Sequence, residues 1–331
     1  MGTWILGLIL LVIKLGIVLV GLTLIAAYLV WAERKLLGRL QVRFGPNRAG
    51  RFGLLQPLAD LVKLIAKEDT MPGSAEKVIF LLAPAVVGIT AMLIFAVIPF
   101  GDQLTLWGRP IPMVITDLNV AALFVVALSS LGVYGVVLGG WASNSKYSLL
   151  GGVRGAAQMI SYELSLGLSL VPVVMVARSF SLVDIVNAQA GYPFILVQPI
   201  SFLIFFISAG AEIKRIPFDL PEAENELVAG YHTEYSGMRF GLFFLGEYIT
   251  LIVLGGLVAS FFLGGWRGPL LPPLIWFLIK VFGVVFVMIW VRGTLPRLRY
   301  DQLMSLGWKI LIPVALLNIL ATGAFLLWKA S

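Results

Sequence analysis

Long intervals without charge are the feature that most constrains how this chain can fold. No charged residue occurs between Asp117 and Lys146, and a helix that crosses a bilayer needs about 20 mostly apolar residues. Of the 331 residues, 60% are hydrophobic and 12% are charged, whereas soluble domains are about 25% charged. The sequence therefore predicts a polytopic membrane protein.

Eight apolar segments of this kind are separated by charged connections. We predict one all-α integral membrane domain over residues 1–331, with an additional amphipathic helix at about 56–67. The spans are predicted at about 2–31, 78–99, 118–141, 156–177, 195–212, 240–263, 273–291 and 310–328. An even number of spans places both termini on the same side.

The distribution of Lys and Arg predicts which side that is. The odd-numbered connections carry 18 basic residues, whereas the even-numbered connections and the C-terminal tail carry four, which are Arg109, Arg178, Arg267 and Lys329. Basic residues accumulate on the cytoplasmic side of membrane proteins. We therefore expect a multi-pass protein of the bacterial inner membrane with both termini in the periplasm, and we attribute the pI near 9.7 to topology rather than to nucleic-acid binding.

Several kinds of chemistry are excluded by composition. The chain has no Cys and one His, so it offers no thiolates for an iron–sulfur cluster and no His-rich metal site. It also lacks the glycine-rich nucleotide-binding motifs GxGxxG and GxxxxGK[ST]. Any electrons in a redox system would therefore travel through other subunits, and no metal is expected here.

The predicted amphipathic helix lies in the first cytoplasmic connection. Leu58, Leu61 and Ile65 recur at helical spacing, opposite polar residues that include Asp60 and Lys63. Such a helix is expected either along the membrane surface or packed against the cytoplasmic ends of the spans.

Three carboxylates, at Glu163, Glu212 and Glu247, fall inside predicted spans, and Glu33 lies at the end of the first span. Burial disfavours the charged form of a carboxyl group, so such groups can exchange protons near neutral pH. They are candidates for a proton relay. The alternative is a structural role, in which each carboxyl group is bonded to a nearby Ser or Tyr.

The segment from Glu212 to Met238 carries six carboxylates. Arg215 follows Glu212 by one helical turn, so the two could pair if the helix continues that far, and Pro217 and Pro221 then break it. The segment is expected to form either a water-filled acidic funnel or an ordinary solvated loop.

Four sequence blocks resemble a known family nearly end to end, the membrane subunit of complex I (NADH:quinone oxidoreductase) that is called the H subunit in bacteria and subunit 1 in mitochondria. The blocks are AERKLLGRLQVRFGPNRAGRFGLLQPLADLVKLIAKED (Ala32–Asp69), GWASNSKYSLLGGVRGAAQMISYELS (Gly140–Ser165), PFDLPEAENELVAGYHTEYSGM (Pro217–Met238) and LRYDQLMSLGWKILIP (Leu298–Pro313).

This resemblance implies a subunit of a translocase that is not catalytic alone and forms the entry to the quinone chamber. The quinone, ubiquinone or menaquinone, is a substrate, and FMN and iron–sulfur clusters belong to partner subunits. Implied partners are the quinone-site subunits of the peripheral arm, the small A, J and K membrane subunits, and the lipid bilayer, but no nucleic acid. Positions matching the quinone path are Arg34, Arg43 and Phe244. Positions matching an acidic proton route, with Arg215 as charge partner, are Glu33, Asp60, Glu163, Glu212, Asp219, Glu222, Glu224 and Glu247.

One departure from the family pattern occurs within AEIKRIPFD. Lys214 and Ile216 stand where the family commonly has a neutral polar residue and a small one, and an added Lys favours ionised carboxylates nearby. Related complexes linked to ferredoxin, coenzyme F420 or a hydrogenase use similar subunits and remain alternatives. Two further alternatives are a stand-alone secondary transporter and an assembly anchor whose charges only dock the peripheral arm.

Overall fold

The computed structural model describes residues 2–106 and 109–330. Within this part of the chain, α-helices dominate, as the apolar segments predict. The α-helices are α1 (Gly2–Leu40), α2 (Gln56–Ala66), α3 (Lys77–Phe95), α4 (Ala121–Ala142), α5 (Lys146–Ala177), α6 (Leu182–Ala188), α7 (Phe194–Val197), α8 (Pro199–Glu212), α9 (Glu224–Leu227), α10 (Gly237–Phe262), α11 (Pro273–Thr294), α12 (Tyr300–Ser305) and α13 (Ile312–Ala330).

Seven helices of the described chain are long and apolar enough to cross a membrane: α1, α3, α4, α5, α10, α11, and the run from Tyr300 to Lys329, in which a π-helical turn at Leu306–Leu311 joins α12 to α13. The predicted fifth span differs from expectation. It consists of α7 and the 14-residue α8, which are separated at Gln198. At 1.5 Å per residue, α8 alone is about 21 Å long, less than the about 30 Å of a hydrocarbon core.

A short hairpin was not anticipated by the prediction of an all-α chain. Strand β1 (Gln103–Leu106) pairs antiparallel with β2 (Arg109–Pro112) in the connection between α3 and α4, with Gln103 opposite Pro112. Lys14 of α1 donates to the carbonyl oxygen of Pro112 at 2.7 Å and also to that of Val114. These bonds offset part of the free-energy cost of placing an ammonium group within an apolar helix.

Helix α10 lies at the centre of the bundle. Every residue from Leu251 to Phe262 is buried, so all faces of its second half contact protein. In contrast, α13 exposes Leu317, Leu320 and Leu327, whose side chains are 65–75% exposed. A helix that is apolar on all sides must be surrounded by protein or by lipid. The second half of α10 is an example of the first case, and α13 is an example of the second.

Charged contacts sort the connecting segments into two groups. Near the irregular segment between α8 and α10, three ion pairs join segments from different connections: Arg154 with Glu226 (2.5 Å), Arg239 with Asp69 (3.0 Å) and Arg297 with Asp219 (2.7 Å). A separate contact joins α6 to the segment after α10, where Arg267 donates to Asn187 Oδ1 at 2.9 Å.

Close helix contacts depend on glycine at a few positions. A β-carbon on Gly140 of α4 would lie 2.5 Å from the carbonyl oxygen of Ser148 on α5. One on Gly151 of α5 would lie 2.5 Å from the backbone nitrogen of Tyr231. Real β-carbons do not approach backbone atoms this closely, so Gly151 allows α5 to support the irregular segment that follows α8.

Replacing Gly151 by Ala should therefore destabilise the protein, by about 1–3 kcal/mol, as overpacking generally does. The matched control is Gly167→Ala on the same helix, where the new β-carbon would lie 3.9 Å from Val126 Cγ1. It should be neutral or stabilising by up to about 1 kcal/mol, because Ala favours helices more than Gly does. Thermal unfolding of the purified protein measures both effects, and equal melting temperatures for the two variants would contradict this assignment.

Candidate functional site

The irregular segment between α8 and α10, residues 213–236, forms the floor of the candidate site. Helix α8 ends at Glu212, and Lys214 adopts a left-handed conformation with φ 62°, so the chain turns away from the helix axis. Gln158 of α5, which is fully buried, donates to the carbonyl oxygens of Ala211 and Phe218, both at 2.7 Å. This side chain therefore satisfies backbone acceptors that a non-helical segment leaves unpaired inside protein.

A buried charge cluster forms around Arg215, whose exposed fraction is 8%. Its Nη1 lies 2.7 Å from Glu33 Oε2 on α1, and its Nε donates to Glu247 Oε1 on α10. Glu33 also accepts a bond from Arg292 of α11. The guanidinium of Arg215 lies 4.2 Å above the ring of Tyr248. Arg215 thus joins α1 and α10 to the irregular segment, and Glu33 links α11 to the same cluster.

This arrangement corrects the predicted pairing of Glu212 with Arg215. That pairing required α8 to continue for another turn, but the helix ends at Glu212. The left-handed turn at Lys214 directs Arg215 instead towards Glu33 and Glu247, which are distant in sequence.

A second ion pair holds the middle of the irregular segment. Asp219 accepts a bond from Arg297 at 2.7 Å, and Leu298 donates its backbone N–H to the carbonyl oxygen of Pro217 at 3.0 Å. Burial raises the pKa of Asp219, and the guanidinium of Arg297 opposes this shift. Its Oδ1 is buried without a hydrogen-bond partner among the described residues.

Glu222, Lys214 and His232 form a group in which burial favours neutral forms. Burial, together with the charges of Glu247 and Asp219, raises the pKa of Glu222 to about 8. Burial also lowers the pKa of Lys214 and that of His232, the latter to about 4. His232 Nδ1 is 3.9 Å from Glu222 Oε1, too far for a hydrogen bond, so a neutral imidazole lies beside a carboxyl group that is protonated at neutral pH.

Lys214 is buried without an ion pair among the described residues. Its Nζ lies 3.3 Å from Tyr231 Oη and 4.9 Å from the centre of that ring. Lys214 also lines a small cavity of about 40 Å³ together with Glu212 and Glu247. A water molecule needs about 10–15 Å³ of such space, so the cavity has room for water between the three titratable side chains.

Glu163 lies beyond this cavity on α5. Ser130 of α4 donates to its Oε2 at 3.1 Å, while Oε1 is buried without a partner among the described residues. The neighbouring hydroxyl groups considered from the sequence bond elsewhere, because Ser161 donates to the carbonyl oxygen of Ala157 and Tyr162 to that of Leu303.

The three residues assigned to the quinone path lie on α1, on α10 and in the segment after α1. Arg34 of α1 forms an ion pair with Asp60 of α2 at 2.7 Å. Phe244 of α10 contacts the ring of Tyr248, with ring centres 4.9 Å apart. Arg43, the third, is exposed in the segment after α1 and donates to Gln41 at 2.8 Å.

Not all the predicted site residues come together. Glu33, Arg215 and Glu247 form one cluster, but Glu224 is exposed at the start of α9. Sequence reasoning also missed the roles of Gln158, Arg292 and Arg297. The two arginines were attributed to membrane orientation alone, although buried carboxylates in so apolar a chain require cationic partners from somewhere.

The class of protein defined by this fold and site is a polytopic helical membrane protein with a buried, ion-paired carboxylate network. A family model described as NADH dehydrogenase matches residues 13–323. The H subunit numbered 2 of NADH-quinone oxidoreductase from Syntrophobacter fumaroxidans is 73% identical, covering 99% of both chains. The H subunit of the enzyme from Syntrophotalea carbinolica is 64% identical, covering 99% of this chain and all of its own. The chain belongs to the NADH dehydrogenase family, with the H subunits of NADH-quinone oxidoreductases.

Replacing Arg215 by Met should destabilise the protein by about 3–5 kcal/mol, because the carboxylates of Glu33 and Glu247 would lose a buried partner. The matched control is Arg154→Met, which breaks an ion pair whose side chains are 34% and 52% exposed. Exposed pairs contribute about 0–1 kcal/mol. Thermal unfolding should separate the two variants clearly, and similar melting temperatures would show that the Arg215 cluster is not a structural requirement.

Glu222→Gln should weaken the pH dependence of stability. The folded protein retains the Glu222 proton up to about pH 8, whereas an ordinary Glu has a pKa of 4.5. The stability due to this protonated carboxyl group is therefore complete below the unfolded-state pKa and is lost as the pH rises through the folded-state value. Melting temperatures measured from about pH 6 to about pH 9 should fall less in Glu222→Gln than in the wild type or in the exposed control Glu226→Gln. If the melting temperatures of all three proteins changed with pH in parallel, the raised pKa of Glu222 would be contradicted.

Proposed function

We propose that this chain is the quinone-facing membrane subunit of a proton-translocating NADH:quinone oxidoreductase and contains no redox centre of its own. The observation that carries the proposal is the buried cluster in which Arg215 joins Glu33 to Glu247. Ion pairs in a low-dielectric interior respond strongly to a nearby change of charge. The names of the relatives, which are H subunits of NADH-quinone oxidoreductases, supply the reaction.

The quinone passage is proposed to lie between α1, α2 and α10. In support, the Arg34–Asp60 pair joins α1 to α2, and Leu64 of α2 lies against α10 at Gly241, where a β-carbon would be 3.0 Å from Leu64 Cδ1. These residues fit a quinone, since an isoprenoid tail needs apolar walls and a headgroup carbonyl accepts N–H donors such as those of Arg34.

The remaining walls of the passage are proposed to come from side chains that are partly or fully exposed in this chain. Phe244 would contact the tail from α10, and the exposed Leu58, Leu61 and Ile65 would do so from α2. Arg43 is assigned to the approach, in the segment that follows α1.

The proton route is proposed to begin in the irregular segment and to end on α5. Asp219 and Glu222 form its first part, with Glu224 at the exposed outer end. The cavity lined by Glu212, Lys214 and Glu247 allows water to carry protons onward. Glu163, which retains one unpartnered oxygen, is the last member of the route assigned here, and Ser130 orients it.

Quinone reduction would act on this route through charge. Reduction takes up electrons from the peripheral subunits and protons from the protein, and it occurs beside Asp60 and the Glu33–Arg215 pair. A change of charge there would alter the relative strengths of the two ion pairs that Arg215 forms, one with Glu33 and one with Glu247. Glu247 then gains or loses affinity for a proton, and the linked carboxyl groups titrate as a set rather than singly.

The proposed topology has eight spans, with α7 and α8 together forming the fifth as an interrupted helix. Interrupted helices occur at membrane depth where protein or a cavity covers the break. The contacts between connections support this count, because Arg154–Glu226 and Arg297–Asp219 join only odd-numbered connections, whereas Arg267–Asn187 joins even-numbered ones. The excess of basic residues places the odd connections in the cytoplasm.

Partner subunits are proposed to supply FMN and the iron–sulfur clusters, since this chain has no Cys. The quinone-site peripheral subunits and the small A, J and K membrane subunits are the proposed neighbours. The names of the relatives favour NADH over ferredoxin, F420 or hydrogen as the electron source.

The proposal is tested by purifying the full chain from its native membranes in a mild detergent through an affinity tag. We expect the eluate to contain iron–sulfur EPR signals and an NADH:quinone reductase activity that quinone-site inhibitors abolish. Iron–sulfur signals with ferredoxin or hydrogenase activity, but without quinone reduction, would move the chain to a related complex. A chain that purifies alone and transports a solute would overturn the proposal.

A further inference from the structure

A groove of about 710 Å³ lies between the end of α5, the junction of α7 with α8, and α13. None of the residues of the Arg215 charge cluster lines it. It is an order of magnitude larger than the cavity beside Glu212, and its size is within the about 300–1,000 Å³ typical of small-molecule sites. Neither the proton route nor the quinone passage uses it.

Two basic side chains line this groove, Arg178 after α5 and Lys329 near the end of α13. They are two of only four basic residues in the connections that the sequence assigns to the periplasmic side. Of the other two, Arg267 donates to Asn187 at 2.9 Å, and the side chain of Arg109 lies outside the described part. A concentration of positive charge on the side where it is scarce calls for an anionic partner.

No carboxylate pairs with either cation among the described residues. Two acids in the adjoining connections form hydrogen bonds with serine side chains. Asp184 accepts a bond from Ser179 at 2.8 Å, and Asp117 accepts one from Ser181 at 2.9 Å. Within the described part of the chain, no carboxylate therefore forms an ion pair with the cations of the groove.

Polar and apolar side chains both line the groove. At the break between α7 and α8, Gln198 donates to Thr322 at 3.0 Å and accepts from Asn318 at 3.2 Å. Gln198, Thr322 and Asn318 thus form a polar patch in the groove, and their side chains hydrogen-bond to one another. The remaining walls include Ile200 and Phe325, which are 44% and 55% exposed. Cations next to apolar walls match the anionic headgroup and the acyl chains of a phospholipid.

We propose that this groove binds a membrane phospholipid with an anionic headgroup, held by Arg178 and Lys329, with its acyl chain against Ile200 and Phe325. Guanidinium groups bind phosphate oxygens through paired N–H donors, and the ammonium group of Lys329 adds a second positive charge at the groove. This inference rests on the proposed topology, in which Arg178 and Lys329 face the periplasm, but not on the proposed quinone and proton chemistry.

The test uses the full chain purified through its tag with all subunits that accompany it. After delipidation, the protein is exposed to phosphatidylglycerol or phosphatidylethanolamine with identical acyl chains, and retained lipid is counted by native mass spectrometry. We expect phosphatidylglycerol to bind about tenfold more tightly than phosphatidylethanolamine. The double variant Arg178→Gln/Lys329→Gln should lose this preference, whereas Arg267→Gln, a basic residue outside the groove, should keep it.

Arg178→Lys should retain the preference because it keeps the charge, which separates loss of binding from misfolding. Equal retention of the two lipids by the wild type, or an unchanged preference in the double variant, would overturn the proposal. A photo-crosslinking amino acid at Phe325 provides an independent readout. Adducts with lipid support the proposal, whereas adducts with a neighbouring protein subunit would show that protein covers the groove.

Discussion

The structure depends on how Arg215 is accommodated in an apolar bundle. Burying a charge costs several kcal/mol unless it is paired, and Arg215 meets this requirement with Glu33 of α1 and Glu247 of α10. Glu33 in turn binds Arg292 of α11. Because these partners come from three helices, the irregular segment that carries Arg215 can adopt its position only when the helices are correctly packed. The chemistry of the site and the packing of the fold are therefore linked.

The network is not optimised for stability alone. Arg215 Nη2, Asp219 Oδ1 and Glu163 Oε1 are buried without partners among the described residues, and each such group costs free energy. Lys214 extends this pattern, because burial lowers the pKa of its amine while nearby carboxylates oppose that shift.

Charge spacing predicted the long helices, because charged residues are excluded from the apolar interior and so mark where spans end. It also placed Glu163, Glu212 and Glu247 inside spans and Glu33 at the end of the first span, and the structure buries Glu33 fully and the other three in part. It did not predict their partners, since Arg292 lies 259 positions from Glu33 and such contacts depend on tertiary packing. The Glu212–Arg215 pairing was wrong because a left-handed residue ends the helical spacing. The interrupted α7–α8 pair has nearly the length of a span, so hydropathy alone could not reveal its break at Gln198.

The central claim is that the Arg215 cluster couples quinone reduction to proton movement. Its most direct test is the proton-to-electron ratio of the purified complex in sealed proteoliposomes, comparing the wild type with Glu247→Gln and with Glu226→Gln, an exposed acid of the same region. The account predicts that Glu247→Gln assembles and oxidises NADH but translocates several-fold fewer protons per electron, while Glu226→Gln matches the wild type. An unchanged ratio in assembled Glu247→Gln would contradict it.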